Sequence, residues 1–150
     1  MSFAVRQATI GDLDVLTPLF DAYRQFYQQP ADLELARRFL HERFAHTQSV
    51  VLVAEDADGA ALGFTQLYPS FSSTLAARIF VLNDLYVAAA GRKRGVGAAL
   101  LTAAADYARA VGAVSLGLST AKTNLPARSL YEAQGWTRDE VYLGYDLALG

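Results

Sequence analysis

The period of the hydrophobic pattern changes several times along this chain, and each change marks an element. Phe3 to Ala8 is short and mixed, as an opening strand would be. Leu13, Leu16, Phe20, Tyr23 and Tyr27 then recur three or four residues apart, which lays one apolar stripe along a helix. Thr9 and Asp12 stand before it as a capping box, in which hydroxyl and carboxylate each answer a backbone N–H. Pro18 falls inside the stripe and predicts a kink or a split, because its ring crowds the preceding turn. Pro30 ends the region, and Asp32 opens a second helix with Leu35, Ala36, Phe39, Leu40 and Phe44 on one face.

Val50-Val51-Leu52-Val53 reads as a buried strand within Ser49 to Ala54. Asp56-Ala57-Asp58-Gly59 supplies turn chemistry, so Ala61 to Tyr68 is the returning arm of a hairpin. Pro69 to Ser73 reads as a polar break, and Ile79 to Val87 as the strongest strand. A helix follows from about Gly97 to Val111, its face built from Leu100, Ala103, Ala104, Tyr107, Ala108 and Val111. Val114 to Ser119 is a short strand. The next helix begins near Pro126, a proline suited to a first turn, and stops at Gly135. Val141, Leu143, Tyr145 and Leu147 alternate with Tyr142, Gly144 and Asp146, which predicts a half-buried final strand. The order predicts a mixed sheet covered by helices on both sides, in a single domain spanning 1–150.

Composition narrows the function. At 150 residues and 53% hydrophobic, the chain has enough for one core and too little for two ordinary domains. With no Cys it has no disulfide, no thiolate metal site and no thiol nucleophile. His41 and His46 are five apart, which turns them about 140° from one another on a helix, so they share no face for a metal. A net charge of −2 argues against a general nucleic-acid binder. No apolar run reaches the ~18 residues of a membrane span, and the first residues carry no signal-like stretch. The expectation is a cytoplasmic protein with no nucleic-acid or membrane partner and no metal.

The chemistry gathers where the strongest strand ends. Gly91-Arg92-Lys93-Arg94-Gly95-Val96-Gly97 follows it and leads straight into a helix. Glycines let backbone approach a ligand closely. The first N–H groups of a helix have no internal partner and, with the dipole, favour an anion. Arg92, Lys93 and Arg94 add positive charge at the same mouth, so the segment is a phosphate site. A P-loop would need Lys-Ser or Lys-Thr after its last glycine, where Ala98-Ala99 stand. A dinucleotide fingerprint would need a third glycine, where Leu100 stands.

Arg92-x-x-Gly95-x-Gly97 resembles the pyrophosphate-loop signature of the GNAT N-acetyltransferases. Leu85-Tyr86-Val87 resembles the strand before that loop. Asn124-x-x-Ala127-x-x-Leu130-Tyr131-Glu132-x-x-Gly135-Trp136 resembles the family's second motif, and the element order resembles the family's order. The resemblance implies a mixed α/β fold, a mostly antiparallel sheet of about six to seven strands with about four helices. It implies acetyl-CoA as cofactor. Leu85, Tyr86 and Val87 would offer backbone groups to the pantetheine arm. Arg92, Lys93, Arg94, Gly95, Val96, Gly97 and Ala98 would wrap the pyrophosphate. Asn124, with Ala127 on the same motif, would contact the pantetheine region, and Tyr131 would protonate the leaving thiolate.

Leu82-Asn83-Asp84-Leu85-Tyr86-Val87 resembles the polyamine and diamine branch, apart from Asn83, where that branch has Glu. An alkylamine arrives protonated, with a pKa near ~10, and must lose a proton before it attacks. Asp84, Glu55 or Glu140 would serve, directly or through water. Tyr23, Tyr27, Gln66, Tyr68 and Asn83 would line the acceptor pocket, although Arg24 would repel a polyamine. Without Cys, direct attack in a ternary complex is the simplest route. The expected partner is a small-molecule primary amine, with amino-acid, peptide and protein amines as alternatives. A non-catalytic acyl-CoA binder and an interaction subunit are the alternatives from other classes. The aromatic, apolar C-terminal stretch is the expected surface of a homodimer.

Overall fold

The computed structural model describes residues 2–150. The chain divides into two compact units, the larger running to Ser119 and the smaller comprising Thr120–Gly150.

The larger unit is a five-stranded sheet with helices on both faces. Its strands are β1 (Phe3–Gln7), β2 (Val50–Asp56), β3 (Ala61–Ser72), β4 (Ala77–Val87) and β5 (Leu116–Gly117). They lie side by side in chain order, antiparallel except for β5, which runs parallel to β4. The helices of this unit are α1 (Leu13–Phe26), α2 (Leu33–Ala45) and α3 (Val96–Ala110).

Successive residues of β2 and of β3 are buried, as happens when both faces of a sheet are covered. Val51, Val53 and Phe64 point to one face and join Leu13, Leu16, Phe20, Ala36 and Leu40 of α1 and α2 in one core. Gly63 points to the other face, where a Cβ would come within 3.3 Å of Val96 at the start of α3. Burying such Leu, Val and Phe side chains contributes roughly 1.5–3 kcal/mol each.

Thr9 and Asp12 form the expected capping box, around a short 3-10 turn at Ile10–Asp12 that leads into α1. Pro18 neither ends nor divides α1, which runs unbroken from Leu13 to Phe26. Pro18 and Asp14 both lie on the exposed side, so the carbonyl that proline leaves unpaired faces water. Asp32 caps α2 by accepting from the Leu35 N–H at 3.0 Å.

The break expected at Pro69 to Ser73 is not there. β3 continues to Ser72 and pairs with β4 across Pro69 and Phe80. β2 pairs with β3 only as far as Leu67, so one side of β3 is a sheet edge beyond that point, where proline is tolerated.

The smaller unit holds α4 (Leu125–Ala133), capped by the Asn124 side chain and followed by Gly135 at φ +91°. The final strand expected at 141–147 does not form, and the sheet has five strands rather than six to seven. A strand exists only as one side of a ladder, and Val141 to Leu147 have none in this structure. Asp139 instead bends the chain locally, its Oδ1 accepting from the Val141 and Tyr142 N–H groups at 2.8 and 3.0 Å.

Candidate active site

Two features of the larger unit meet on β4. The first is a break in register. Gln66 pairs with Asp84 and Leu67 with Leu82, so Asn83 is an extra residue bulged out of the ladder. Gln66 lies two residues from Phe64 on β3, so it and Asp84 opposite it face the α1 and α2 side. Asp84 is 2% exposed, a carboxylate placed inside the fold.

Amide groups hold that carboxylate. Gln66 Nε2 donates to Asp84 Oδ2 at 2.6 Å, and Asn83 Nδ2 donates to Oδ1 at 2.8 Å. Gln66 Oε1 accepts from Ser49 Oγ at 2.7 Å, so the amide's orientation is set from β2's side. Thr65 Oγ1 donates to the Asp84 carbonyl at 2.7 Å. Burial pushes the Asp84 carboxyl above the usual carboxylate range, while the Asn83, Gln66 and Tyr23 groups pull it back.

A cavity of about 350 Å³ opens at Asn83, the residue before this carboxylate; Asp84 itself is not part of its lining. Phe20, Tyr23, Phe39 and Tyr68 give it aromatic walls, Leu35 adds an apolar patch, and Arg24 and Asn83 add polar ones. The Tyr23 hydroxyl donates to the Asn83 carbonyl at 3.2 Å, tying α1 to the bulge. Burial and then the Asp84 charge raise the Tyr23 phenol well above its ordinary value. The same causes push Tyr68 up to about 12, against a smaller opposite pull from Arg43. Both phenols are therefore neutral hydrogen-bond donors throughout the physiological range.

The second feature is the turn into α3. A short 3-10 turn, Ala89–Gly91, follows β4, and Gly95 at φ +80° caps the helix in the left-handed region. Gly91 is needed for packing, since a Cβ there would lie 2.8 Å from the Leu62 carbonyl oxygen. Gly95 has the opposite surroundings: a Cβ there would meet nothing within 4 Å. Open space thus adjoins the N–H groups of the first helical turn. Arg92 Nε and Arg94 Nη1 donate to the Val87 and Ala90 carbonyls at 3.3 and 3.2 Å, which holds their cationic heads at this turn. The arrangement suits a phosphate-bearing ligand. Among the described residues β5 pairs only with Phe80 and Val81, so the β4 edge away from β3 has no ladder partner from Leu82 to Val87.

The structure thus gathers Tyr23, Gln66, Tyr68, Asn83 and Asp84 around one buried network. Gln66, expected in the pocket wall, is fully buried beneath it and touches Asp84 and Ser49 instead. Tyr27 packs edge-on against Tyr23 at 5.1 Å and is half exposed, outside the cavity lining. Leu85, Tyr86 and Val87 are partly buried on the strand that leads to the phosphate-type turn. Glu55 is bound to Arg6 at 2.8 Å on β1, and Glu140 pairs with Arg138 at 2.8 Å in the smaller unit. Ser49 escaped sequence reasoning, because a lone serine before an apolar run carries no chemical signal. His41 and His46 are exposed.

In the smaller unit Asn124 Oδ1 accepts from the Ala127 N–H at 3.3 Å as the cap of α4. Tyr131 is partly buried, and its ring stands 6.0 Å from that of Trp136.

The bulged strand β4 thus runs into a glycine-rich, cation-lined helix start suited to a phosphate-bearing ligand. The chain belongs to the acetyltransferase (GNAT) family, which its residues 16–136 match. It is 47% identical over 143 residues to the uncharacterized N-acetyltransferase YhfO of Bacillus subtilis, covering 95% of each chain. It is 35% identical over 91 residues to an aminoglycoside N(6')-acetyltransferase type 1 of Klebsiella aerogenes, covering 59% of this chain and 60% of that one. Its fold matches the crystal structure of a probable acetyltransferase with a TM-score of 0.94 and 39% identity, covering 98% of both chains. The family and these relatives make the chain an N-acetyltransferase, the activity expected from its motifs. No helix among the described residues is long and apolar enough to cross a membrane.

Proposed function

We propose that the chain transfers an acetyl group from acetyl-CoA to the primary amine of a small molecule, by direct attack in a ternary complex. The observation that carries this reading is the buried Asp84 carboxylate. It is held by Asn83, which lines an aromatic-walled cavity, and stands on the same strand that runs into the cation-lined turn.

Acetyl-CoA supplies an acetyl group activated as a thioester. The open space beside Gly95, the first-turn N–H groups of α3 and the basic side chains of Arg92, Lys93 and Arg94 fit its pyrophosphate. The unpaired β4 edge from Leu82 to Val87 fits an extended, amide-bearing arm, which can bond to it as an added strand would.

The acceptor enters as an ammonium. Asp84 attracts it and takes one proton, directly or through a water, which frees the nitrogen lone pair. Its raised pKa brings it closer to working pH and makes it a better base than an exposed carboxylate. Gln66 and Asn83 fix both of its oxygens, so its orientation is set before the amine arrives. Tyr131, by the motif it belongs to, holds a phenolic proton at neutral pH and gives it up as the thiol leaves. With no Cys in the chain, an acyl-thiol enzyme is excluded, which favours a single displacement.

The segment 141–149 supports a homodimer. Val141, Tyr142, Leu143, Tyr145, Leu147 and Leu149 are all at least 79% exposed, in a strand-like alternation that lacks a ladder partner. A second copy of the chain would supply one. Light scattering at micromolar concentration should report a dimer; a monomer would contradict it.

The enzymatic reading is tested by acetyl-CoA titration calorimetry together with thiol release across an amine panel. Binding with amine-dependent thiol release is expected. Binding without turnover by any amine would refute the reading.

A further inference from the structure

The acceptor cavity has a polar feature that deprotonation of an amine does not use. Arg24 stands in its wall, one residue after Tyr23 on α1. Its Nη1 is buried and, among the described residues, has no hydrogen-bond partner. Arg43 of α2 repeats the pattern nearby. Its guanidinium carbon lies 4.3 Å above the centre of the Phe39 ring, itself a cavity wall, and its Nε is likewise buried without a partner, but its Nη2 is paired with Glu42 at 3.1 Å and the residue lies outside the lining.

A buried guanidinium N–H left unpaired is costly, so it calls for an acceptor that an ordered water or a ligand would supply. Arg24 is the charged residue of the lining, and the buried carboxylate of Asp84 lies outside the lining. Asp84 lies behind Asn83, and Asn83 is tied to the Tyr23 hydroxyl. Arg24 follows on the same helix. A second ammonium, as in a diamine, would meet like charge there. An anionic pair of oxygens would meet the opposite charge of Arg24 in the wall, and Arg pairs with carboxylate more strongly than with any neutral acceptor.

We propose that the acceptor is a small amino acid-like molecule whose amine lies toward Asn83 and Asp84 and whose carboxylate is read by Arg24. This rests on the N-acetyltransferase reading above and narrows its acceptor away from polyamines. The aromatic walls hold the methylene groups between the two charges, and the chain length of the linker is set by the cavity.

The test compares kcat/KM for matched acceptors on the unmodified enzyme: ω-amino acids, diamines and simple alkylamines, each over a series of short chain lengths. The best amino acid should exceed the alkylamine and the diamine of equal length by about tenfold or more, the scale of one charge-assisted hydrogen bond. Arg24→Gln should bring this preference close to unity, and Arg24→Lys should restore part of it. The loss should fall mainly on KM.

A preference for diamines, or a preference for amino acids that Arg24→Gln leaves intact, would overturn the proposal while the N-acetyltransferase reading stands. Acetyl-CoA binding with turnover of no member would overturn both. Since the first comparison needs no variant, poor folding of Arg24→Gln cannot shield the proposal.

Discussion

Replacing Asp84 by Asn removes the proposed base at nearly constant shape. The carboxylate accepts from Gln66 Nε2 at 2.6 Å and from Asn83 Nδ2 at 2.8 Å. A carboxamide has only one acceptor oxygen, so one of these bonds would become a clash of donors. The network can answer this. Rotation of the Gln66 amide turns its oxygen toward the new N–H and its Nε2 toward Ser49 Oγ, which can accept as well as donate. The fold should therefore change in stability by only about 1 kcal/mol.

Catalysis should respond differently. A positioned general base contributes about 10²–10⁴-fold, so kcat of Asp84→Asn should fall by that order while acetyl-CoA affinity holds. The pH dependence gives a second readout. Burial raises the folded pKa of Asp84 above its unfolded value, so the folded state holds this proton more tightly. Wild-type stability should then fall as pH rises from the unfolded carboxylate pKa to the raised folded one, and level off above it. The variant should lack that slope. The acid limb of kcat/KM should lie above the ordinary carboxylate range in the wild type and vanish in the variant. Steady-state kinetics and chemical denaturation across pH measure both. Turnover within about threefold of wild type, with the same acid limb, would refute the role given to Asp84.

Gly95→Ala forces a side chain into the left-handed region at φ +80° and into the open space beside the turn. It should cost about 1–2 kcal/mol of stability and weaken acetyl-CoA binding, read by thermal melting and calorimetry; unchanged affinity would remove that space from the cofactor site. Leu40→Ala, in the core between α2 and the sheet where Leu40 is 1% exposed, should destabilise by about 2–5 kcal/mol in denaturant unfolding. Tyr131→Phe should lower kcat by about tenfold or more with little change in KM, and an unchanged kcat and pH profile would exclude its phenol from proton transfer.

Most of the fold was legible because its elements have strong local signals. The capping box at Thr9, the stripes of α1 and α2 and the apolar, strand-forming run from Ile79 to Val87 in β4 each identify an element from a few residues. The failures have physical causes. Pro18 was expected to disturb α1, but its missing bond falls on a water-facing carbonyl. Pro69 looked like a break, but β3 has become an edge by then. Val141 to Leu147 has a strand's pattern and no ladder, since pairing is a property of neighbours and not of the segment.

At the site, the Gly91 to Gly97 turn was visible because glycines, cations and a helix start coincide within a few residues. The network of Asp84 was only half visible. Asp84 and Asn83 stand together in sequence, but Ser49 and Gln66 join them through β2 and β3, across separations no motif reports. Arg24 was legible as a cation near the pocket; that its Nη1 is buried without a partner is a fact of packing alone.

The proposed reaction moves acetyl from acetyl-CoA to a small amine. Its most direct measurement is the stoichiometry of acetylated amine, identified by mass spectrometry, against free thiol. One acetylated amine should form for each thiol released, with no acetyl group retained on the protein. Thiol release without an acetylated amine, or acetyl-protein accumulating before product, would contradict it.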